Sequence, residues 1–299
     1  MVALTRRPNV LRDLSHPSLR IESFDLEREI PRIERGTIVV HLAALRAGAK
    51  QSRERYMALN RDGTVRLAEA AIRGGAARFV NVSTAMVFGP SGGERLDESS
   101  PIQPVARANS YIGSKIEALE RTEMLVPNGL PLVTILPSIV YGPDHPSAPN
   151  RVTSHVRRLM SARIRFHPAD VSRLRTLAYV DDVVSGIRSA IERPLEPGSR
   201  FILGGEDISM GRFEKTVLEL SGRSAPGLRV PSMLARTAVT ALDVLGRKER
   251  EGGYRAQLSI LSKEWCFTSR RAEETLDYWI TPLHIGIEKT IQLLKTTRR

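Results

Sequence analysis

Three features of this sequence predict an α/β fold: a doubly wound parallel sheet with a smaller, mostly helical C-terminal lobe. A continuous apolar run at residues 38–44 has the pattern of a strand buried on both faces, and further strands are read at 78–84 and 132–137. Segments with helical periodicity, at 60–72 and 111–126, alternate with them. Two of the strands close on small or hydroxylated residues, Ala43-Ala44 and Ser83-Thr84, and ligands of such sheets lie at strand carboxyl ends.

Taken in order, Val2-Ala3-Leu4-Thr5 reads as a short strand followed at once by Arg6-Arg7-Pro8. The chain thus begins in mid-motif, because a sheet of this kind opens with an earlier strand and a glycine-rich turn whose amides hold a pyrophosphate. No such turn occurs before residue 36, so the expectation is a true start further upstream. The lack of a central strand would expose two sheet edges. Residues 19–24 read as a second strand ending at Asp25-Leu26, where Asp25 is either a ligand-facing acid or a turn acid. His41, inside the apolar run 38–44, reads as a satisfied core histidine. Asn60 opens the next helix, where it would serve as an N-cap or face a ligand, and Gly74-Gly75 closes that helix.

The strand 78–84 leads through a polar loop with Asp97-Glu98 to the helix of Tyr111, and the strand 132–137 is ended by Pro137. From Gly142 the pattern loosens into a variable segment to about Ser172, a helix at 181–191 and a strand at 201–203. Helices follow at about 210–220, 231–245 and 283–294, and 295–299 reads as a frayed basic tail. The division this suggests is a sheet domain at 1–142 and about 173–205, and a lobe at about 143–172 and 206–299.

Composition bounds the function. With 299 residues, 41% of them hydrophobic, the chain can bury a full core. No apolar run reaches the roughly 18 residues of a membrane span and the N-terminus is not built like a secretory signal, so the expected location is the cytoplasm. Cys266 stands alone, with no metal-ligand partner at a recognisable spacing, and no metal is expected. The net charge of +12 comes from 38 arginines and 7 lysines spread along the chain with few aromatic neighbours. That distribution argues against nucleic acid and fits an anionic small molecule.

The chemistry centres on Tyr111-Ile112-Gly113-Ser114-Lys115. Residues i and i+4 share a helix face, so the phenol and the ammonium meet beside the strand that ends at Ser83-Thr84. A cation about 4 Å away favours the phenolate by at most roughly 4 kcal/mol at an effective dielectric of about 20. Such a phenol exchanges protons usefully, and the Thr84 hydroxyl would hold the oxygen that gains or loses the proton.

Several motifs in order resemble the extended short-chain dehydrogenase/reductases, the NAD(P)-dependent epimerase, dehydratase and reductase group. They are His41-Leu42-Ala43-Ala44, Asn60 with Gly63-Thr64, Asn81 to Ala85 with Val87-Phe88-Gly89, Tyr111 to Lys115, Pro137 to Pro143, and Arg175 with Tyr179-Val180-Asp181-Asp182. The resemblance implies a Rossmann-type domain with a substrate-binding lobe, and it assigns roles. Tyr111 would be the acid/base, Lys115 would lower its pKa and hold the nicotinamide ribose, and Thr84 would position the substrate oxygen. Asp25 and Leu26 would lie at the adenine, Ala43 and Ala44 near the diphosphate, Asn60 on the cofactor-side helix, Ser83 at the cofactor, and Pro137, Ile139 and Val140 beside the nicotinamide. Arg175 would meet substrate, and Asp182 would be structural. Pro137 alone could simply end its strand.

An arginine after the strand that would read the adenosine ribose accommodates a 2′-phosphate, so Arg6 inclines the cofactor towards NADP over NAD, the other reading being a solvated basic turn. Residues 201–206, Gly222-Arg223 and Pro231 resemble the dihydroflavonol-reductase-like and hydroxysteroid-dehydrogenase-like branch, with 233–245 as an apolar wall or a core helix. The expected activity is hydride transfer between a ketone and a secondary alcohol of a small molecule, in a homodimer if the family habit holds. The alternatives are a nucleotide-sugar epimerase or dehydratase, and a truncated relative that does no catalysis.

Overall fold

The computed structural model describes residues 1–11, 14, 16–49, 51–145, 149–161, 166–168, 172–223, 228–230 and 263–296. Its centre is a four-stranded parallel sheet in the order β3 (Ile38–His41), β4 (Arg78–Val82), β5 (Leu132–Pro137), β9 (Ser199–Leu203). β5 is buried at every residue, as the nearly unbroken apolar run requires of a strand covered on both faces. Phe79, Leu132 and Ile135 are wholly buried around it, and each contributes about 1.5–3 kcal/mol by leaving water.

β1 (Val2–Thr5) and β2 (Arg20–Ser23) pair in parallel with each other. Among the described residues they form a separate two-stranded sheet, so the ladder breaks between β1 and β3. The edges carry the exposure expected of that break: Val2, Leu4 and Ile38 are each 40% or more exposed.

The helix expected at 60–72 begins earlier and is interrupted. Ser52 caps α1 (Arg53–Tyr56), accepting from the Arg55 amide, and a π-helical stretch (Met57–Gly63) joins it to α2 (Thr64–Gly74), which ends at Gly75 in the left-handed conformation. Asn60 therefore lies inside the helix, fully buried, and is not an N-cap. The strand expected to run to Ala44 stops at His41. Beyond it the Leu45 amide and carbonyl are paired by the Asn60 side chain, which replaces a ladder partner.

α3 (Ser110–Glu123) is capped by Asn109, whose side chain accepts from the Ile112 amide at 3.0 Å. Gly113 lets the preceding 3-10 turn (Pro104–Ala108) approach: a Cβ there would stand 2.8 Å from the Arg107 carbonyl oxygen. The glycine between Tyr111 and Lys115 is thus a packing requirement of α3.

The later chain is more ordered than its sequence suggests. It comprises β6 (Ile139–Tyr141), α4 (Arg151–Met160), β7 (Phe166–Pro168), β8 (Leu174–Tyr179), α5 (Val180–Glu192), β10 (Glu206–Ser209) and α6 (Met210–Ser221), with α6 packed on α4 and β10, and β11 (Leu228–Val230) paired with β7. β8 lies between β6 and β10 in a second sheet. Tyr141, Tyr179, Phe213 and Ile287 meet in one apolar cluster there. α7 (Arg270–Leu276) and α8 (Leu283–Thr296) complete the chain, with Asp182 receiving the Thr281 amide and hydroxyl, a structural role. The helix expected at 231–245 and its apolar wall lie outside the described residues.

Candidate active site

β4 delivers Ser83 and Thr84 to its carboxyl end, and α3 delivers Tyr111 and Lys115 to the same place. Thr84 accepts from the Met86 amide at 3.3 Å, capping the turn Ala85–Phe88, and its hydroxyl donates to the Pro137 carbonyl at 3.4 Å. The Tyr111 phenol lies beside the Thr84 hydroxyl, which favours its ionised form. Lys115, 5% exposed, donates from Nζ to the Val82 carbonyl at 3.1 Å. A phenol, a hydroxyl and an ammonium therefore converge within one turn of the strand end.

The electrostatics differ from the sequence expectation that Lys115 acidifies the phenol. Burial, then the neighbouring Tyr56, pushes Tyr111 up to about 12, and the Thr84 hydroxyl offsets only part of this. The Tyr56 ring stands edge-on, 6.3 Å from that of Tyr111. Burial draws Lys115 down to about 8. The physical reason is that the ammonium is turned onto the Val82 carbonyl and is itself poorly solvated, so the phenol meets an apolar environment first. In this arrangement Tyr111 holds its proton firmly and is ready to donate it.

Two hydroxyls beside these groups, Ser83 Oγ and Ser138 Oγ, are buried without a hydrogen-bond partner in the protein. They close β4 and precede β6, flanking the Pro137 carbonyl that Thr84 contacts. Orphaned buried hydroxyls call for a polar guest. A nicotinamide with its ribose and carboxamide suits that donor and acceptor set, with Lys115 within the same cluster. At the diphosphate end, no described strand is followed by a glycine-rich turn that opens a helix: Gly204-Gly205 after β9 leads into another strand, and β1 leads into Arg6-Arg7-Pro8. The residues present thus fit the nicotinamide half of a dinucleotide.

The other expected residues are placed as follows. Ile139 and Val140 are partly buried on β6, next to Ser138. Ala43 is exposed and Ala44 half-buried, just past the end of β3. Asp25 organises a turn, its carboxylate accepting from the Glu27 amide at 3.1 Å, which is the turn-acid alternative. Leu26 is 6% exposed and packs with Leu59 and Leu67, so it serves the core. Arg6 is drawn to Glu27 at 3.3 Å, a carboxylate it shares with Arg55. Arg175 is 4% exposed on β8 and donates to the Arg173 carbonyl. A cavity of about 440 Å³ is lined by Pro90, Ser91, Gln103, Arg173, Lys263 and Glu264 among others, and none of Thr84, Tyr111 and Lys115 lines it. Ser138 lies inside the stretch 137–140 that the family resemblance sets beside the nicotinamide, but the sequence does not single out its hydroxyl.

A model of the NAD dependent epimerase/dehydratase family matches residues 2–204. A Synechocystis sp. protein provisionally named dihydroflavonol 4-reductase is 31% identical over 206 residues, 66% of this chain and 57% of the relative. A mouse dTDP-D-glucose 4,6-dehydratase is 31% identical over 166 residues, 53% of this chain and 42% of the relative. The matched stretch thus spans only about half the length of these curated relatives. Among solved structures, that of gox2253 superposes with a TM-score of 0.79 at 22% identity, covering 99% of this chain and 98% of the other. UDP-glucose 4-epimerase of Thermotoga maritima, solved with UDP-glucose, gives 0.75 at 18% identity, covering 100% and 91%. At these identities the structures speak for a shared fold. Among the described residues no helix is long and apolar enough to cross a membrane.

Proposed function

The chain belongs to the NAD dependent epimerase/dehydratase family, and within it we propose an oxidoreductase that interconverts a ketone and a secondary alcohol of a small molecule. The observation that supports this reading is the gathering of Tyr111, Thr84 and Lys115 at the carboxyl end of β4, where Lys115 is anchored on the Val82 carbonyl and Thr84 on the Pro137 carbonyl.

Thr84 would hold the substrate oxygen by its hydroxyl, and Tyr111, protonated over the whole physiological range, would give that oxygen its proton in the reductive direction. The nicotinamide, when bound, supplies or accepts the hydride at the carbonyl carbon. Lys115 would hold the ribose hydroxyl, and once drawn from Val82 its charge would ease proton loss from Tyr111 in the oxidative direction. Ser83 and Ser138, with Pro137, Ile139 and Val140, would frame the nicotinamide, and Ala43, Ala44 and Asn60 would lie along the remaining cofactor. Residues 143–172 and 206–299 would form the substrate lobe, with Arg175 reaching substrate only after a rearrangement. NADP is the preferred cofactor on the strength of Arg6, which must then exchange Glu27 for the 2′-phosphate. A cytoplasmic homodimer completes the proposal.

The second reading is a nucleotide-sugar epimerase or dehydratase, favoured by the mouse relative's name. One assay separates the two: a panel of ketones with NADPH or NADH, read as net cofactor oxidation. The reductase reading expects consumption that Tyr111→Phe removes. An epimerase returns its hydride to the same substrate and consumes none, while a chain that converts neither ketones nor nucleotide sugars is a non-catalytic relative.

A further inference from the structure

His41 is 3% exposed at the end of β3, and its Nε2 lies 2.9 Å from Thr64 Oγ1. That threonine hydroxyl has one proton and gives it to the Asn60 carbonyl at 2.6 Å. Its oxygen is therefore left to accept, and the imidazole proton must sit on Nε2. The ring is neutral: burial, and secondarily the charge of Lys115, draws His41 down to about 3. The Thr64 amide meanwhile bonds the Arg61 carbonyl, so inside this π-helical break the hydroxyl, not the amide, satisfies Asn60.

Held in this way, Asn60 uses its whole side-chain amide. Oδ1 accepts from the Leu45 amide at 2.7 Å, and Nδ2 donates to the Leu45 carbonyl and to Ser114 Oγ, each at 3.0 Å. Ser114 in turn donates to the Tyr111 carbonyl at 2.7 Å. The segment 42–45 is thereby pinned at both ends, by His41 and by Leu45, to one helical break that is itself tied to α3. Nothing in that path touches a reacting atom.

We propose that His41 is a positioning residue: through Thr64 and Asn60 it clamps the turn 42–45 to the helix of Tyr111 and Lys115, and so sets the spacing between the two halves of the cofactor groove. The groove itself rests on the function proposed above, but the clamp can be read without it. The near-isosteric pair Thr64→Val and Thr64→Ser, alongside His41→Phe, provides the test, with two readouts on each folded protein. The first is hydrogen exchange of the Leu45 amide, which needs no cofactor. Loss of one neutral hydrogen bond corresponds to about three- to tenfold faster opening, expected in His41→Phe; Thr64→Val, which loses the bonds to both His41 and Asn60, should open at least as fast, and Thr64→Ser should restore the wild-type rate. The second is titration with NADPH and NADH, where Kd should rise by a similar factor, about three- to tenfold, with kcat at saturation changed less than about twofold. A residue that merely supports the fold would lower Tm in all variants without that split.

Unchanged Leu45 exchange in a folded Thr64→Val protein, or a Thr64→Ser variant as impaired as Thr64→Val, overturns the clamp. Should wild type bind neither nucleotide, the proposed function fails while the exchange measurement still decides the clamp.

Discussion

Strand β5 buries all six of its residues, whereas β1 and β2, four residues each, bury none. The two ends of the same domain therefore rest on different physics. Around β4, β5 and α3, position is fixed by close packing and by buried hydrogen bonds such as Lys115 to Val82 and Asn60 to Leu45. Around β1 and β2 it is fixed by a short ladder and by exposed ion pairs such as Arg6 with Glu27, which are worth little individually. Tyr111, Thr84 and Lys115, the groups proposed to move the proton, sit in the first region. What the difference teaches is that the proposed chemistry is placed by the packed part of the sheet, while the strand pair at the N-terminus is held by weaker, exposed contacts.

The sharpest way to isolate the packed end is Tyr111→Phe, which removes one hydroxyl and leaves the ring. Turnover should fall about 10²- to 10⁴-fold while thermal midpoint and nucleotide affinity stay near wild type; a proportional loss of affinity would mean the ring's surroundings, not its proton, had been disturbed. Next comes a direct contrast in stability by urea unfolding. Phe79→Ala, in the packed end, should cost about 3–5 kcal/mol, and Leu4→Ala, 40% exposed on β1, less than about 1 kcal/mol. Equal costs would erase the comparison.

A pH series sharpens it further. The Lys115 pKa is lowered from 10.5 to about 8 in the folded chain, so between those values the unfolded chain binds more protons and stability must rise with pH. The gain is absent below about 8, where both states are charged. It should amount to about 2 kcal/mol between pH 8 and 10 relative to Lys115→Met, and a parallel pair of stability curves would place the ammonium in solvent. Above pH 10 the raised Tyr111 opposes the trend, since the folded chain then holds the extra proton. The smallest effect is expected of Arg6→Ala: stability within about 1 kcal/mol of wild type, with the NADPH to NADH affinity ratio falling if Arg6 reads the 2′-phosphate.

The central sheet was legible because a strand covered on both faces, such as β5, leaves a nearly unbroken apolar run in the sequence. Helical spacing alone sets Tyr111 and Lys115 on one face, which marks α3 as the candidate helix. The missed elements have a common cause. α4 and β8 carry arginines at 151, 157, 158 and 175 among their apolar residues, and local composition there masks a pattern that packing against Phe213 and Ile287 enforces from a distance. The helix start at Arg53 was hidden because the π-helical stretch shifts the period midway. The direction of the Tyr111 shift was hidden as well, since spacing places Lys115 on the right face but not its ammonium, which Val82 takes.

The claim on which the rest depends is that a reduced nicotinamide docks where Lys115 and Tyr111 meet. Calorimetric titration of the folded chain with NADPH and with NADH, repeated on Lys115→Met and Tyr111→Phe, measures it most directly. The expected result is binding of at least one nucleotide by wild type, weakened about tenfold or more by Lys115→Met, which removes a charged hydrogen bond, and less than about threefold by Tyr111→Phe. Binding of neither nucleotide by wild type, or binding indifferent to Lys115→Met, would contradict the account.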